Sequence, residues 1–234
     1  MRSGNVLGFN VYRAGILTAL LSRLLAAAAP APAQVPPSAS EVAGYGALHL
    51  AAHRGDRDAL RQAIAAGGLD VRDSSGRTAL HVAAHARQRE AMRDLVAAGA
   101  DPRALDAQAY DAVTIAAVAD DAETMRVALA IGGDARAITS PYRGTALIAA
   151  AHLGHDGVVR DLIAAGAPLD HVNNLGWTAL IEAVILGDGG RRHVATVEAL
   201  VAAGARRDLA DRDGVTPLEH ARRRGYAAMI ALLQ

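Results

Sequence analysis

The chain has 234 residues and a formal net charge of zero, because 24 arginines balance 24 acidic residues and lysine is absent. This balance provides no overall basic field for nucleic acid, and the absence of cysteine excludes disulfides, thiolate zinc sites and a cysteine nucleophile. Hydrophobic residues make up 52% of the chain and aromatic residues only 3%, a composition that favours thin layers of helices over a bulky globular core.

Residues 1–33 predict an export signal. Arg2 and Arg13 supply a basic end, the stretch Ala14–Ala29 is apolar, and small residues follow it. Arg23 interrupts the apolar stretch, which is also too short for a membrane span, so an uncleaved anchor and a cytosolic extension are the alternatives. The signal predicts a periplasmic or secreted protein, with a cytoplasmic location as the alternative.

Residues 34–43 are rich in proline and serine, which predicts a linker. From Gly44 to the end, the chain consists of imperfect copies of one sequence unit. Residues 44–234 are therefore predicted to form a single repeat domain that follows the linker.

The unit is clearest between Ser75 and Asp101, where the sequence predicts two short helices. Gly76 permits a tight turn, and Thr78 is placed to accept a backbone N–H and so begin a helix. Gly99 stands where a left-handed residue ends a helix. Apolar residues recur at helical spacing in two groups: Leu80, Ala83 and Ala84, and then Met92, Leu95 and Val96. Two such helices cannot bury their apolar faces alone, so they must stack on copies of themselves.

Six copies of the unit follow one another at a nearly constant period. The apolar residue that anchors each first helix recurs every 32–38 residues: Leu48, Leu80, Val113, Leu147, Leu180 and Leu218. This stretch and its spacing resemble the ankyrin repeat, whose period is about 33 residues. The resemblance covers residues 44–234 and implies an all-α solenoid of about six helix-turn-helix units joined by short hairpins. It also implies protein recognition through the hairpin tips and the inner face of the first helices.

Aligning the units with one another gives the side chains expected at that binding surface. The hairpin tips carry Tyr45, Arg77, Tyr110, Tyr142 with Arg143 beside it, and Trp177. Because tyrosine, tryptophan and arginine dominate binding hot spots, these residues are predicted partner contacts. The alternative is that the aromatic side chains fill space between adjacent hairpins.

A second column, on the concave side, carries three histidines: His53, His85 and His152. Helices in a stack lie about 8–10 Å apart, whereas zinc needs ligand nitrogens at about 2 Å, so neither a metal nor another cofactor is predicted. His49 and His81 occupy the Thr-x-x-His position of the ankyrin pattern, which implies that their rings bond locally and brace the hairpins. The three outer histidines are predicted to contact a partner and to make its binding sensitive to a pH of about 6–7.

The fifth unit carries an insertion of five residues near Gly187–His193, between its two helices. Arg191, Arg192 and His193 in this segment are predicted partner contacts. Its glycines would expose backbone N–H groups to an anion, but the segment matches no phosphate-loop spacing. A mobile loop that contacts the partner, or an insertion that the fold merely tolerates, is the favoured interpretation.

These patterns predict a non-catalytic scaffold that binds another protein and acts as a monomer. We predict no nucleic-acid partner, and no contact with a membrane except through an uncleaved N-terminal segment. The alternative is a structural or protective component of an exported assembly, contacting that assembly through the Gly187–His193 insertion. An enzyme would need an active centre built from His152, His155 and Asp156 or from the insertion, and no catalytic motif supports one.

Overall fold

Short helices joined by tight turns make up residues 35–234, the part of the chain that the structure, a computed structural model, describes. The predicted export signal at residues 1–33 lies outside the described residues. Within them there are thirteen α-helices and, apart from one isolated bridge between Thr139 and Gly144, no β-structure. The helices are α1 Ala39–Ala43, α2 Ala47–Arg54, α3 Arg57–Ala65, α4 Ala79–His85, α5 Arg89–Ala97, α6 Ala112–Val118, α7 Ala122–Ala130, α8 Ala146–His152, α9 Asp156–Ala164, α10 Ala179–Ile185, α11 Arg191–Ala202, α12 Pro217–Arg224 and α13 Ala227–Leu233.

After α1, consecutive helices pair into six helix-turn-helix units, which stack in sequence order. Each first helix packs on the first helix of the next unit, and each second helix packs on the second helix of the next. Leucine anchors such as Leu80, Leu147 and Leu180 are buried in this stack, among small alanines that let the helix layers approach closely. The predicted all-α solenoid of about six units is confirmed.

Local signals in the sequence set where the helices begin and end. The following N-cap side chains accept the backbone N–H of the residue three positions later: Asp56, Asp111, Asp121, Thr145, Thr178 and Thr216. The second helices of the first five units are each followed by a glycine at positive φ: Gly67, Gly99, Gly132, Gly166 and Gly204. Glycine adopts this conformation without a steric penalty, so the predicted helix ends are confirmed.

The segment before the first unit is more ordered than the sequence predicts. Ser38 and Glu41 form a capping box that begins α1, and the carboxylate of Glu41 accepts a hydrogen bond from the Ser75 hydroxyl at 2.9 Å. The prediction of a linker over residues 34–43 is therefore wrong for its second half, which folds as a short helix against the hairpin of the second unit.

The insertion in the fifth unit mostly lengthens a helix. Helix α11 has 12 residues, whereas its counterpart α9 in the preceding unit has nine. Only a short turn separates Ile185, the last residue of α10, from Arg191, the first of α11. In the described part of the chain, no helix is both long and apolar enough to span a bilayer.

Candidate partner-binding face

Four of the hairpins are each closed by one side chain, whereas in the hairpin of the fourth unit the backbone N–H of Thr139 donates to the carbonyl oxygen of Gly144 at 2.8 Å. In the hairpin of the second unit, a carboxylate oxygen of Asp73 accepts the backbone N–H groups of Ser75 and Arg77, both at 2.9 Å. Three further residues accept the N–H groups two and four positions later in the same way: Asp106, Asn173 and Asp211. These bonds hold the tips in one conformation before any partner binds.

Two buried histidines brace neighbouring hairpins, as the resemblance implies. Nε2–H of His81 donates to the carbonyl oxygen of Tyr110 at 3.1 Å, while its Nδ1 accepts the backbone N–H of Thr78 at 3.1 Å. Nε2–H of His49 donates to the carbonyl oxygen of Arg77 at 3.0 Å. Burial lowers the pKa of His81, so its ring stays neutral and keeps this bonding pattern.

The prediction that Arg77 contacts a partner is wrong. The residue is 3% exposed, and its Nε lies 2.7 Å from a carboxylate oxygen of Asp73. Its guanidinium also pairs with Glu41, and the Tyr45 hydroxyl donates to Asp73 at 3.1 Å. Hydrogen bonds from Ser38 and Ser75, together with the charge of Arg77, lower the pKa of Glu41 to about 2. Arg77 therefore joins α1 to the hairpin of the second unit.

Tyr110 is also buried, at 4% exposure, and packs within the hydrophobic core. Burial raises the pKa of its hydroxyl, as expected for an ionisable group that is removed from water. The prediction that Tyr110 contacts a partner is wrong, and the alternative, that it fills space between hairpins, holds at this position.

The other tip residues remain available at the surface. Tyr45, Tyr142 and Trp177 are half-buried, and Arg143 is exposed. The Tyr45 ring lies along α2, with its centroid 5.4 Å from that of His49 and 6.4 Å from that of His53. Half-buried aromatic rings on a fixed hairpin provide apolar contact area at little entropic cost, so these positions stay predicted contacts.

One histidine of the concave column, His85, departs from the prediction. His53, His85 and His152 are all half-buried. Burial, together with the positive charge of Arg77, lowers the pKa of His85 to about 4. His85 is therefore neutral at a pH of about 6–7, so the predicted pH sensitivity is wrong for this residue.

His152 forms a pair that the sequence analysis missed. Its Nδ1 lies 3.1 Å from a carboxylate oxygen of Glu182, and the other oxygen accepts the side-chain N–H of Asn173 at 2.8 Å. Glu182 occupies a helix position where earlier units carry apolar residues, for example Val82 and Ile115. A single acidic residue in an apolar column was the signal that could have identified this pair.

The insertion is held against earlier units. Nε2–H of His193 donates to the carbonyl oxygen of His152 at 3.0 Å, and the ring packs against Gly154 and Gly187. The Arg192 guanidinium lies 2.8 Å from Asp120 of the third unit. His193, with a side chain 13% exposed, is therefore an internal support, and the prediction that it contacts a partner is wrong.

The two arginines of the insertion differ. Arg192 keeps about half of its exposure, but its charge is matched by Asp120 and, at 3.5 Å, by Asp156. Arg191 is exposed and remains a predicted contact. The interpretation of the insertion as a mobile loop does not agree with these contacts, because its second half is helical and joined to the third and fourth units.

Replacing His193 with alanine is expected to lower the free energy of unfolding by about 2 kcal/mol, because the His152 carbonyl loses its donor and the ring leaves a cavity. Arg191→Ala is the matched control on the same helix turn and should change that free energy by less than about 0.5 kcal/mol. Urea denaturation of both variants measures the difference. Equal values would mean that the insertion is not anchored through His193.

The residues considered for catalysis do not form one site. Nδ1–H of His155 donates to the carbonyl oxygen of Ala117 at 2.9 Å, and Asp156 accepts a hydrogen bond from Arg160 at 2.5 Å. The contact of His155 thus joins two units of the stack, and that of Asp156 lies within α9. Among the described residues, no group of three or more histidines and carboxylates is placed to hold a metal ion.

Comparison with known proteins identifies the repeat. A family model described as ankyrin repeats, in three copies, matches residues 13–106 and 113–205. The putative ankyrin repeat protein YahD of Escherichia coli (strain K12) is 40% identical over 93 residues, which are 39% of this chain and 46% of YahD. The chain thus spans about half the length of this curated relative.

Solved structures give the same result. An ankyrin repeat domain from Acinetobacter baumannii AYE is 44% identical, with a TM-score of 0.74 over 80% of this chain and 95% of that one. The ankyrin repeat protein EF0377 is 30% identical, with a TM-score of 0.74 over 80% of this chain and 96% of that one. A third similar structure is the complex of the predatory endopeptidase Bd0816 from Bdellovibrio bacteriovorus with the immunity protein Bd3460. One of its chains is 21% identical, with a TM-score of 0.68 over 81% of this chain and 97% of that one. At this identity the similarity shows the fold alone.

Proposed function

The chain belongs to the ankyrin-repeat family, whose fold generally serves as a non-catalytic interaction scaffold, and we propose that it binds a protein partner through its hairpin tips and concave face. The observation that carries the proposal is the row of half-buried aromatic side chains, Tyr45, Tyr142 and Trp177, on hairpins that are already held in place. A partner of this kind is a folded or extended protein segment long enough to cross several units.

Preorganisation supports this proposal. The Asx turns and the histidine braces fix the hairpins through bonds within the protein, so docking a partner does not require these loops to become ordered. Binding to a rigid surface avoids the entropic cost of ordering loops, which leaves more of the contact energy as affinity.

Replacing Trp177 with alanine is expected to weaken partner capture by about 30-fold or more, because a hot-spot tryptophan contributes about 2 kcal/mol or more. The full chain and the variant serve as baits for a native envelope fraction, and quantitative mass spectrometry compares what each retains. Glu198→Ala, at an exposed position of α11 that is not a predicted contact, is the control. Undiminished capture by the Trp177 variant would mean that the aromatic row is not the binding surface.

We propose in addition that the protein is exported, on the basis of the basic end and apolar stretch within residues 1–33. The family match begins at residue 13, inside this segment, so the two interpretations of these residues compete. Cell fractionation followed by N-terminal sequencing of the native protein decides between them. A cytoplasmic protein that retains residues 13–33 would exclude the export proposal.

A further inference from the structure

The insertion of the fifth unit adds one turn to the start of a helix. Helix α11 has 12 residues and α9 has nine, and each ends two residues before a glycine, Gly204 and Gly166 respectively. The three additional residues therefore stand at the beginning of α11, and they are Arg191, Arg192 and His193. Because α11 packs on α9, this extra turn lies beyond the start of α9, beside the turns of the earlier units.

The extra turn reaches two earlier units. Nε2–H of His193 donates to the carbonyl oxygen of His152 in the fourth unit at 3.0 Å. The Arg192 guanidinium lies 2.8 Å from a carboxylate oxygen of Asp120 in the third unit. Packed helices lie about 8–10 Å apart, so side chains of units two places apart do not normally meet, and each unit of a solenoid contacts its neighbours alone. The ion pair of Arg192 and Asp120 thus spans the whole fourth unit.

Asp120 has a backbone conformation that favours glycine. It is the second residue before the second helix of its unit, and its φ is +54°. Three other units carry a glycine at the same place, with φ between +67° and +69°: Gly55, Gly154 and Gly225. Glycine adopts this left-handed conformation freely, whereas a residue with a Cβ does so at a cost. The turn itself therefore does not account for an aspartate at this position, whereas the ion pair with Arg192 does.

The sixth unit holds the insertion from the other side. The Tyr226 hydroxyl donates to the carbonyl oxygen of Gly187 at 2.9 Å, and the Tyr226 ring packs against Gly189. The ring of His193 fills the space beside Gly154, where a Cβ would lie 2.9 Å from it. The insertion therefore has fixed contacts with the third, fourth and sixth units.

These contacts affect the shape of the stack. The curvature of a solenoid is the sum of small rotations between successive units. Two such interfaces lie between the third and fifth units, and each adjusts on its own if adjacent units alone are in contact. A closed ion pair between Asp120 and Arg192 couples the two rotations, because either rotation alone changes the distance between these side chains. The side chains are 38% and 53% exposed, so salt screens their attraction.

We propose that the insertion is a strap, sensitive to ionic strength, that holds the third, fourth and fifth units at one curvature. At low salt the ion pair of Asp120 and Arg192 is closed. At about 1 M salt the screening length falls to about 3 Å, the pair opens, and the two interfaces rotate independently. The inference goes beyond the proposed function and does not rest on it, since it concerns the shape of the stack and not the partner.

The experiment measures the distance between two spin labels on either side of the strapped units by double electron–electron resonance. The chain has no cysteine, so Ala97→Cys and Ala231→Cys, at exposed positions of the second and sixth units, each take one label in the full chain. Raising NaCl from about 0.05 M to about 1 M should shift the mean distance, or widen its distribution, by at least about 2 Å, the size of displacements between packed helices.

Two substitutions at the same turn position separate the strap from a general effect of salt. Asp120→Gly removes the ion pair and introduces the residue that other turns carry, so the chain should remain folded. We expect it to show at low salt the change of about 2 Å that salt causes in the unmodified chain, and no further response to salt. Arg192→Gln should give the same result by removing the charge from the other side.

Arg87→Gly is the matched control. Arg87 has a φ of +58° at the equivalent turn of the second unit, and its Nε lies 3.3 Å from a carboxylate oxygen of Asp121 in the adjacent unit. This variant loses an ion pair between neighbours, so it should keep both the low-salt distance and the response to salt.

Four results would overturn the proposal: no response to salt in the unmodified chain, an unchanged distance in both Asp120→Gly and Arg192→Gln, a response to salt that persists in these two variants, or an equal change in Arg87→Gly.

Discussion

Replacing Arg77 with alanine is expected to lower the free energy of unfolding by about 3–5 kcal/mol, the range for removing one partner of a buried ion pair. The side chains of Arg77 and Asp73 are 4% and 6% exposed and lie 2.7 Å apart. Without the guanidinium, the carboxylate of Asp73 is buried without its counter-charge, and α1 loses the ion pair through Glu41. Equilibrium urea denaturation of the full chain and the variant measures the loss.

Arg143→Ala is the matched control, because Arg143 also lies at a hairpin tip but is exposed. We expect it to change the free energy of unfolding by less than about 0.5 kcal/mol. If the free energy of unfolding falls equally little in both variants, the ion pairs of Arg77 do not stabilise the fold, and the burial of this residue does not contribute to stability.

The pH dependence of stability gives an independent check on the same cluster. Burial raises the pKa of Asp73, but hydrogen bonds from the backbone and side chain of Arg77 and its positive charge outweigh this effect and leave the pKa lowered. The pKa of Glu41 is about 2, below its ordinary 4.5. Both carboxylates therefore stabilise the fold above a pH of about 4.5, and this contribution is lost as the pH falls toward 2. The difference in the free energy of unfolding between the unmodified chain and the Arg77→Ala variant should therefore decrease as the pH falls from about 4.5 toward 2.

The period of the repeat could be predicted from the sequence because it depends on local signals. Glycine at the end of each second helix, threonine or aspartate at helix starts, and apolar residues at helical spacing act within a few residues. The structure places each of these where the pattern predicts, and the stack follows, since such helices bury their faces only against copies of themselves.

Whether a tip side chain is buried or exposed could not be predicted in this way, because its burial depends on the neighbouring hairpin. Arg77 and Arg143 are the same residue type at similar positions, yet Arg77 is buried because Glu41, 36 residues earlier, folds back to meet it. The Glu182 pair likewise needed a contact between units, since Glu182 and His152 are 30 residues apart in sequence. The spacing of the repeats predicts the position of each residue within its unit, but it does not predict which side chain of a neighbouring unit that residue contacts.

Tyr110 is buried for a related reason. The hairpin of the fourth unit lies close to it, since the backbone N–H of Ser140 donates to the carbonyl oxygen of Ala109 at 2.8 Å. Tyr110 therefore fills the space between them, whereas Trp177 remains half-buried.

Replacing Tyr110 with alanine is consequently expected to lower the free energy of unfolding by about 3 kcal/mol, because a large ring leaves a cavity in the core. Trp177→Ala is the control and should cost about 1 kcal/mol, although it removes a larger side chain. Thermal and urea denaturation measure both. A larger loss of free energy of unfolding for the Tyr110 variant than for the Trp177 variant would show that the two aromatic side chains have different roles. An equal loss for the Trp177 variant would mean that Trp177 also fills space between hairpins. The proposed binding surface would then lose its main contact residue.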